Sequence, residues 1–238
     1  MTERLLIYCG AIFVVSLAGG LIPLIRRWSD EWLHLFISFG AGIFLGVVFL
    51  HLLPEAMRQS ESGAVPWLIL GGFLLVLSIE KVLLRGEEPG YDQSHKVISM
   101  TALLGLSAHS VIAGIGLALG CRQGDLAQMI FISILAHKAT AAFSLCTLFL
   151  LARLSRRKMI GMLLLFSLMT PAGALIIGPV LAGAGGETLS HLTALTTGTF
   201  MYVATADLLP EVFHTKEHRW SKLILLLIGI VAIGTFAD

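Results

Sequence analysis

The chain alternates long apolar segments with short polar ones over its whole length. A bilayer core requires about 20 apolar residues per helix, with a range of roughly 17 to 25. Eight segments meet this requirement, and the predicted membrane-spanning helices cover residues 5–25, 32–53, 66–84, 97–120, 126–152, 160–182, 188–209 and 221–237. The polar connections are too short for a soluble domain. The pattern therefore predicts a single all-α transmembrane domain of eight helices.

Composition supports a membrane protein and excludes other classes. The 238 residues are 56% hydrophobic and only 13% charged, whereas soluble domains carry about 25% charged residues. A net charge of +1 gives no electrostatic footprint for nucleic acid. The three cysteines are widely spaced without a CxxC pair and are interpreted as small apolar helix residues. The first apolar segment lacks a signal-peptide cleavage motif, so it is predicted to remain as a span.

The distribution of basic residues predicts the orientation of the chain. If the N-terminus lies outside, the loops on the inner side hold twelve of the sixteen lysines and arginines, and the outer side holds three. Lysine and arginine concentrate on the cytoplasmic side of membrane proteins. We therefore expect a multi-pass protein of the plasma membrane with both termini facing away from the cytosol.

One motif occurs twice. The sequence x-Leu-Leu-Pro-Glu stands at 51–55 and again at 207–211, an offset of 156 residues, and Gly-x-Phe begins nine residues before each copy. The same offset relates spans 1–3 to spans 6–8, so the chain divides into a three-helix unit (1–85), a central pair (97–152) and a second three-helix unit (160–238). Five spans separate equivalent helices, so the second unit is predicted to be inverted. Such 3+2+3 inverted-repeat bundles are typical of secondary transporters.

The two copies of the motif place ionisable groups at opposite membrane faces. His51 and Glu55 are predicted at the outer end of span 2, and Asp207 and Glu211 at the inner end of span 7. The proline within each motif removes a helix hydrogen bond and frees a carbonyl group. These groups are candidates for cation entry and exit. The alternative is that the motif only marks where a helix leaves the membrane.

Four polar residues lie near mid-membrane. His109 and Ser110 stand in span 4, and His137 and Lys138 stand at similar depth in span 5. Ionisable groups at this depth are costly and signal function, and neutral imidazole is a common ligand of zinc and other first-row divalent ions. The pattern predicts a metal site between the two histidines, against the alternative of satisfied core residues. Lys138 needs an anionic partner or a wet cavity, and Asp207 is the expected partner.

In span 6, Met169, Thr170 and Pro171 are interpreted as a helix kink. No functional role is predicted for His34 or His95, which are placed at an interface and in a loop.

Four segments carry a family resemblance: "HLLPEA" in span 2, "GGFLLVLSIE" in span 3, "HSVIAGIGLALG" in span 4 and "AHKATAAFSL" in span 5. Together they make the chain similar to the ZIP family of divalent-metal transporters, and to its branch with HSxxEG and HKxxxAFS signatures. The resemblance implies the eight-helix plan, a homodimer, His109 and His137 as central ligands, and His51 and Glu55 on the extracellular approach. Because Lys138 stands where other branches carry a carboxylate, it implies a single-metal site.

One residue departs from the family pattern. Ala113 occupies the position of the glutamate that follows the span 4 histidine by four residues. Zinc in an open site usually takes three protein ligands, so two histidines leave the shell incomplete. Glu55, His51, Ser110 or water completes it, or binding is weak, or substrate choice is altered or transport lost.

The expected function is transport of a divalent transition-metal cation toward the cytosol, with zinc first and iron or manganese as alternatives. The cation enters past His51 and Glu55, binds between His109 and His137, and leaves past Asp207. The metal is the transported substrate, so no cofactor, enzymatic activity or nucleic-acid partner is expected. The alternatives are a non-transporting or altered-specificity paralogue, a bis-histidine membrane haem protein, and an intramembrane hydrolase, for which the HExxH motif is absent.

Overall fold

The computed structural model describes residues 2–58, 63–84, 91–121, 126–183, 186–214 and 217–235. Within these ranges the chain forms eight helical rods, each matching one predicted span to within a few residues at either end. Six of the rods are long and apolar enough to cross a membrane by length and composition. The prediction of a helical membrane protein is confirmed. Residues 85–90, in the polar connection between the third and fourth predicted spans, lie outside the described residues.

We number the rods α1 to α8 in chain order, and several consist of consecutive segments. Their bounds are α1, Thr2–Leu21 and Ile22–Leu24; α2, Asp30–Gly46, Val47–Leu52 and Leu53–Arg58; α3, Val65–Ser78 and Ile79–Leu84; α4, Tyr91–Gly120; α5, Leu126–Leu151; α6, Arg156–Ala172, Gly173–Ile177, Gly178–Val180 and Leu181–Gly183; α7, Gly186–Tyr202, Val203–Leu208 and Leu209–Phe213; and α8, Arg219–Gly234.

Four of these segments are π-helical, namely Val47–Leu52, Ile79–Leu84, Gly173–Ile177 and Val203–Leu208, and the first and last correspond to each other. Val47–Leu52 in α2 and Val203–Leu208 in α7 are separated by 156 residues, the offset of the repeated motif. In each case the residue that follows donates its amide to a carbonyl five residues back, Leu53 to Val48 and Leu209 to Ala204. The proline next in sequence lacks the amide that an α-helix would use. The wider turn fits the local sequence, and such turns are frequent at functional sites.

The helices α2 and α7 run in opposite directions. The hydroxyl group of Thr197, within α7, lies 3.5 Å from the carbonyl oxygen of Leu52, near the end of α2. At the other end of the pair, the Nδ1 atom of His34, near the start of α2, lies 3.6 Å from Oε1 of Glu211. At each end of the pair, a residue near one terminus of the first helix therefore lies beside a residue from the opposite half of the second helix, as in antiparallel packing.

Glycines bring two pairs of helices into backbone contact. A Cβ atom on Gly42 of α2 would collide with the carbonyl oxygen of Leu226 in α8, and one on Gly198 of α7 would collide with that of Ile69 in α3. Gly198 stands 156 residues after Gly42, so the two contacts are equivalent under the sequence offset. Because lipid tails are as apolar as leucine, helices in membranes gain stability from this close packing.

The helices α2, α4 and α5 form the interior of the bundle. In their apolar windows 67%, 56% and 61% of residues are buried, against 28%, 22% and 33% for α1, α3 and α6. The outer helices expose most of their apolar side chains, as expected for lipid contact. The two helices that carry the mid-membrane histidines therefore lie inside the protein.

Candidate metal site

The structure brings His109 and His137 together. Their helices, α4 and α5, are neighbours, and the two ring centroids are 5.8 Å apart with the planes inclined by 49°. The ring of His109 also packs against Phe200 of α7 at a centroid distance of 4.8 Å. The Ser133 carbonyl group, one helical turn before His137, lies near the His137 ring.

A small cavity lies between the two imidazoles. Its lining consists of Leu106, His109, Ser110, Ala113, Ile134, His137, Lys138, Ala141, Phe166, Thr170 and Phe200. About 10 Å³ is open to the centre of a water-sized sphere, which corresponds to roughly one water molecule. The cavity therefore suits a single small ion and gives no room for a haem macrocycle.

Two polar atoms in the cavity wall are unpaired. His109 is 8% exposed, and its Nε2 atom has no hydrogen-bond partner. Thr170 is fully buried, and its hydroxyl group likewise has none. Buried polar atoms almost always find partners, so an unpaired one requires an explanation such as a bound ion or water.

Lys138 does not pair with Asp207, so this prediction was wrong. The Lys138 side chain is 2% exposed, and its ammonium group donates a hydrogen bond to Ser110 Oγ at 2.6 Å. It also lies 3.9 Å from the centre of the Phe166 ring, a cation–π distance. The hydroxyl of Ser110 donates in turn to the carbonyl of Leu106 at 2.7 Å. Its proton and one lone pair are therefore engaged, and one lone pair is left.

Ala113, the departure from the family pattern, lines this cavity. Among the described residues of the cavity wall, none carries a carboxylate. The position at which the family pattern has a glutamate therefore lies in the wall of the site, and the ligands available there are neutral.

The predicted outer residues are not among those that line the cavity, although His51 lies near enough to His137 to interact with it electrostatically. His51 is half-buried in the π-helical segment of α2. Glu55 forms an ion pair with Arg58, one helical turn further on, and the two side chains are 38% and 76% exposed. This end of α2 presents polar groups to the solvent, and an exposed pair of this kind contributes little to stability.

Asp207 belongs to a buried cluster on α3, α4 and α7. It accepts a hydrogen bond from the Thr101 hydroxyl at 2.8 Å and hydrogen-bonds to Glu80. Glu80 is fully buried and accepts further hydrogen bonds from Tyr202 at 2.8 Å and from Lys81 at 2.8 Å. Glu80 thus pairs with its sequence neighbour Lys81 within a larger network of hydrogen bonds.

A second buried cluster surrounds Glu211, and sequence reasoning missed two of its members. The Nε2 atom of His95 lies 3.0 Å from Glu211 Oε1, and Nδ1 of His34 lies 3.6 Å from the same oxygen. All three side chains are at most 6% exposed. Both histidines stand near the start of their helices, and the inner-end position predicted for Glu211 was the signal that could have linked them.

The predicted ligands do not converge on one point. His109, His137 and Ser110 line the central cavity, whereas Asp207 lies in the cluster with Glu80 and Glu55 pairs with Arg58. In the described part of the chain, no three His, Cys, Asp or Glu side chains form a ready-made metal cluster. The polar groups therefore form three separate sites in the helical bundle, not one shared site.

Comparison with known proteins identifies the family. The model described as ZIP Zinc transporter matches residues 3–90 and 85–237, and the chain belongs to this family. Zinc transporter ZIP9-A of Xenopus laevis is 26% identical over 251 residues, which cover 85% of this chain and 82% of that protein. Zinc transporter ZIP1 of Homo sapiens is 26% identical over 282 residues, covering 93% and 86%. Zinc transporter ZIP1 of Mus musculus is 28% identical over 254 residues, covering 86% and 78%.

The family assignment confirms the main functional predictions. The protein is a membrane transporter with a metal cation as its substrate, and it is not an enzyme.

Proposed function

We propose that the protein carries zinc across the membrane toward the cytosol and binds it in transit between His109 and His137. The observation that carries this proposal is the pair of imidazoles from two interior helices, with ring centroids 5.8 Å apart across a cavity for one small particle. Nε2 of His109 is unpaired and therefore available to the cation, and His137 lines the same cavity. Iron and manganese are secondary candidates because imidazole also binds them.

The charge of the site favours rapid release over tight binding. Its histidine and hydroxyl donors are neutral, and the ammonium group of Lys138 lies in the cavity wall beside them. Like charges repel strongly in a medium of low dielectric constant, so Lys138 excludes a second cation and weakens the binding of the first. Transport requires binding that is weak enough for the ion to leave.

The inner clusters extend the route toward the cytosolic face. Along α4, Thr101 lies eight residues before His109, which is about 12 Å in an α-helix, and His95 lies a further six residues, about 9 Å, beyond it. These two residues contact Asp207 and Glu211, respectively. We propose that the cation leaves past Asp207 and then Glu211, and that it enters past His51 and Glu55 at the other end.

We further propose that units 1–85 and 160–238 are inverted copies that flank the central pair 97–152. The equal offsets of the motif, of the π-helical segments and of the glycine contacts support a duplicated unit, and the opposite directions of α2 and α7 support its inversion. Such repeats open a central site to each side in turn. The distribution of basic residues supports external termini, and by resemblance the protein is a homodimer of the plasma membrane.

The central test is zinc uptake into proteoliposomes that contain the purified protein. We expect His109→Ala and His137→Ala to raise KM at least 10-fold, because loss of a direct ligand costs no less than the 10- to 100-fold reported for groups around one. The matched control is His191→Ala, since His191 stands near the start of α7 beside the exposed Glu187. Uptake by His109→Ala equal to wild type would remove the central site from the mechanism.

A second candidate is a paralogue with lost or altered transport, and the position of Ala113 in the cavity wall favours it. The same assay separates the two: wild-type uptake at the level of empty vesicles, for zinc, iron and manganese alike, would establish the non-transporting alternative.

A further inference from the structure

The hydroxyl group of Thr170 lacks the hydrogen bond that most serine and threonine hydroxyls in the described residues form. Thirteen serine and threonine hydroxyls in the described residues donate to a carbonyl three or four residues back in their own helix. This local bond is the usual way to satisfy a hydroxyl in a helix. The buried hydroxyls of Ser107, Ser144, Thr170 and Ser190 have no partner. Of these four, Thr170 is the one in the wall of the described cavity.

Close packing of α4 against α6 holds Thr170 at the cavity. A Cβ atom on Gly114 would collide with the carbonyl oxygen of Thr170, and one on Gly173 would collide with that of Val111. Two glycines, one on each helix, therefore bring the backbones into contact within one turn of the site. Pro171 follows directly and leaves one carbonyl of α6 without its helical donor. The sequence indicated only a kink here, whereas the structure places an unpaired hydroxyl in the wall of the cavity that the two imidazoles also line.

We propose that Thr170 Oγ1 is a ligand of the transported cation and forms the third protein ligand with His109 and His137. This inference rests on the proposed central site. A cation at this position would explain two unpaired atoms, because both Nε2 of His109 and the hydroxyl of Thr170 would coordinate it. Two nitrogens, one oxygen and a water molecule make the four-coordinate open shell that zinc adopts where one position stays exchangeable.

The ligand type has consequences for selectivity. A hydroxyl oxygen is neutral and harder than a thiolate, so it binds weakly and favours zinc, iron and manganese over softer ions such as cadmium. Thr170 would thus supply an oxygen donor to a cavity whose wall carries Ala113 in place of a carboxylate, without adding charge beside Lys138.

The test compares Thr170→Val with Thr170→Ser. Valine keeps the shape of threonine and removes the hydroxyl, whereas serine keeps the hydroxyl. We expect Thr170→Val to raise both KM for zinc uptake and Kd for zinc binding in detergent about 10-fold, and Thr170→Ser to remain near wild type. The control is Thr147→Val, because Thr147 is equally buried but its hydroxyl donates to the Phe143 carbonyl. Unchanged KM and Kd in Thr170→Val would overturn the inference.

Thr170→Cys provides a second measurement that does not depend on loss of function. A cysteine sulfur is softer than a hydroxyl oxygen, so a ligand at this position predicts a shift of the cadmium-to-zinc affinity ratio toward cadmium by about 10-fold or more. An unchanged ratio would contradict the inference even if Thr170→Val fails to fold. If His109→Ala abolishes zinc binding and Thr170→Val does not, the central site stands and only the role of Thr170 fails. If neither variant changes binding, the proposed site itself is wrong.

Discussion

Replacing Gly114 by alanine tests whether backbone contact between α4 and α6 maintains the cavity. The added Cβ atom would lie 2.1 Å from the Thr170 carbonyl oxygen and 2.8 Å from the amide nitrogen of Ala174. Ordinary contacts between heavy atoms are about 3.5–4.0 Å, so the two helices must separate by about 1.5–2 Å. Overpacking of this kind costs about 1–3 kcal/mol. The helix-propensity gain from glycine to alanine, about 1 kcal/mol, opposes it.

Gly116→Ala is the matched control because it adds the same methyl group to the same helix, with nothing within 4 Å. Both variants have the same gain in helix propensity, so the difference between their free energies of unfolding measures the cost of the clash, about 1–3 kcal/mol. At roughly 2–4 °C per kcal/mol for a chain of this size, Gly114→Ala should melt about 2–12 °C below Gly116→Ala. Its KM for zinc should also rise, since the displaced carbonyl belongs to Thr170. Equal melting temperatures and equal KM values would refute the packing argument.

Three further substitutions have defined outcomes. Ala113→Glu adds an anionic oxygen to the cavity wall, so the Kd for zinc should fall at least 10-fold in equilibrium binding. The Vmax for uptake should also fall, because release of the ion slows. A Kd no lower than that of the wild type would contradict this expectation. Lys138→Met removes a positive charge beside the cation, so the zinc Kd should fall in the same assay, and a higher Kd would show that the ammonium group supports the site instead. Tyr202→Phe removes the 2.8 Å hydrogen bond to buried Glu80, so the free energy of unfolding should fall by about 1.5–3 kcal/mol and the melting temperature with it. An unchanged melting temperature would show that the bond makes no net contribution to stability.

The helix count could be predicted from sequence because bilayer thickness fixes the length of each apolar segment. The motif repeat was equally visible, since it depends only on residue identity. The π-helical form of the segments before Pro54 and Pro210 was not predictable from hydropathy. The freed carbonyls were foreseen, but the local backbone rearrangement that goes with them depends on hydrogen bonding within each helix.

Side-chain partners were predicted less well, and Lys138 shows why. Sequence position gives approximate depth within one helix but not which level of a neighbouring helix lies alongside. Lys138 meets α4 at Ser110, whereas Asp207 meets α4 at Thr101, nine residues or about 13 Å away along the helix. The same ambiguity hid the meeting of His95 with Glu211, because only the packed bundle sets the register between helices distant in sequence.

The two corresponding π-helical segments also bear on the origin of the chain. Each holds six residues, and each begins and ends at the same place in its own half. The chain also has π-helical segments at Ile79–Leu84 and Gly173–Ile177, so it is the match that indicates a common origin: two segments of equal length at the same place in each half are more simply inherited once than acquired twice. If the halves descend from one ancestral gene, as the proposed duplication implies, that ancestor already carried the widened turn, and both descendants have kept it while most of their other residues diverged.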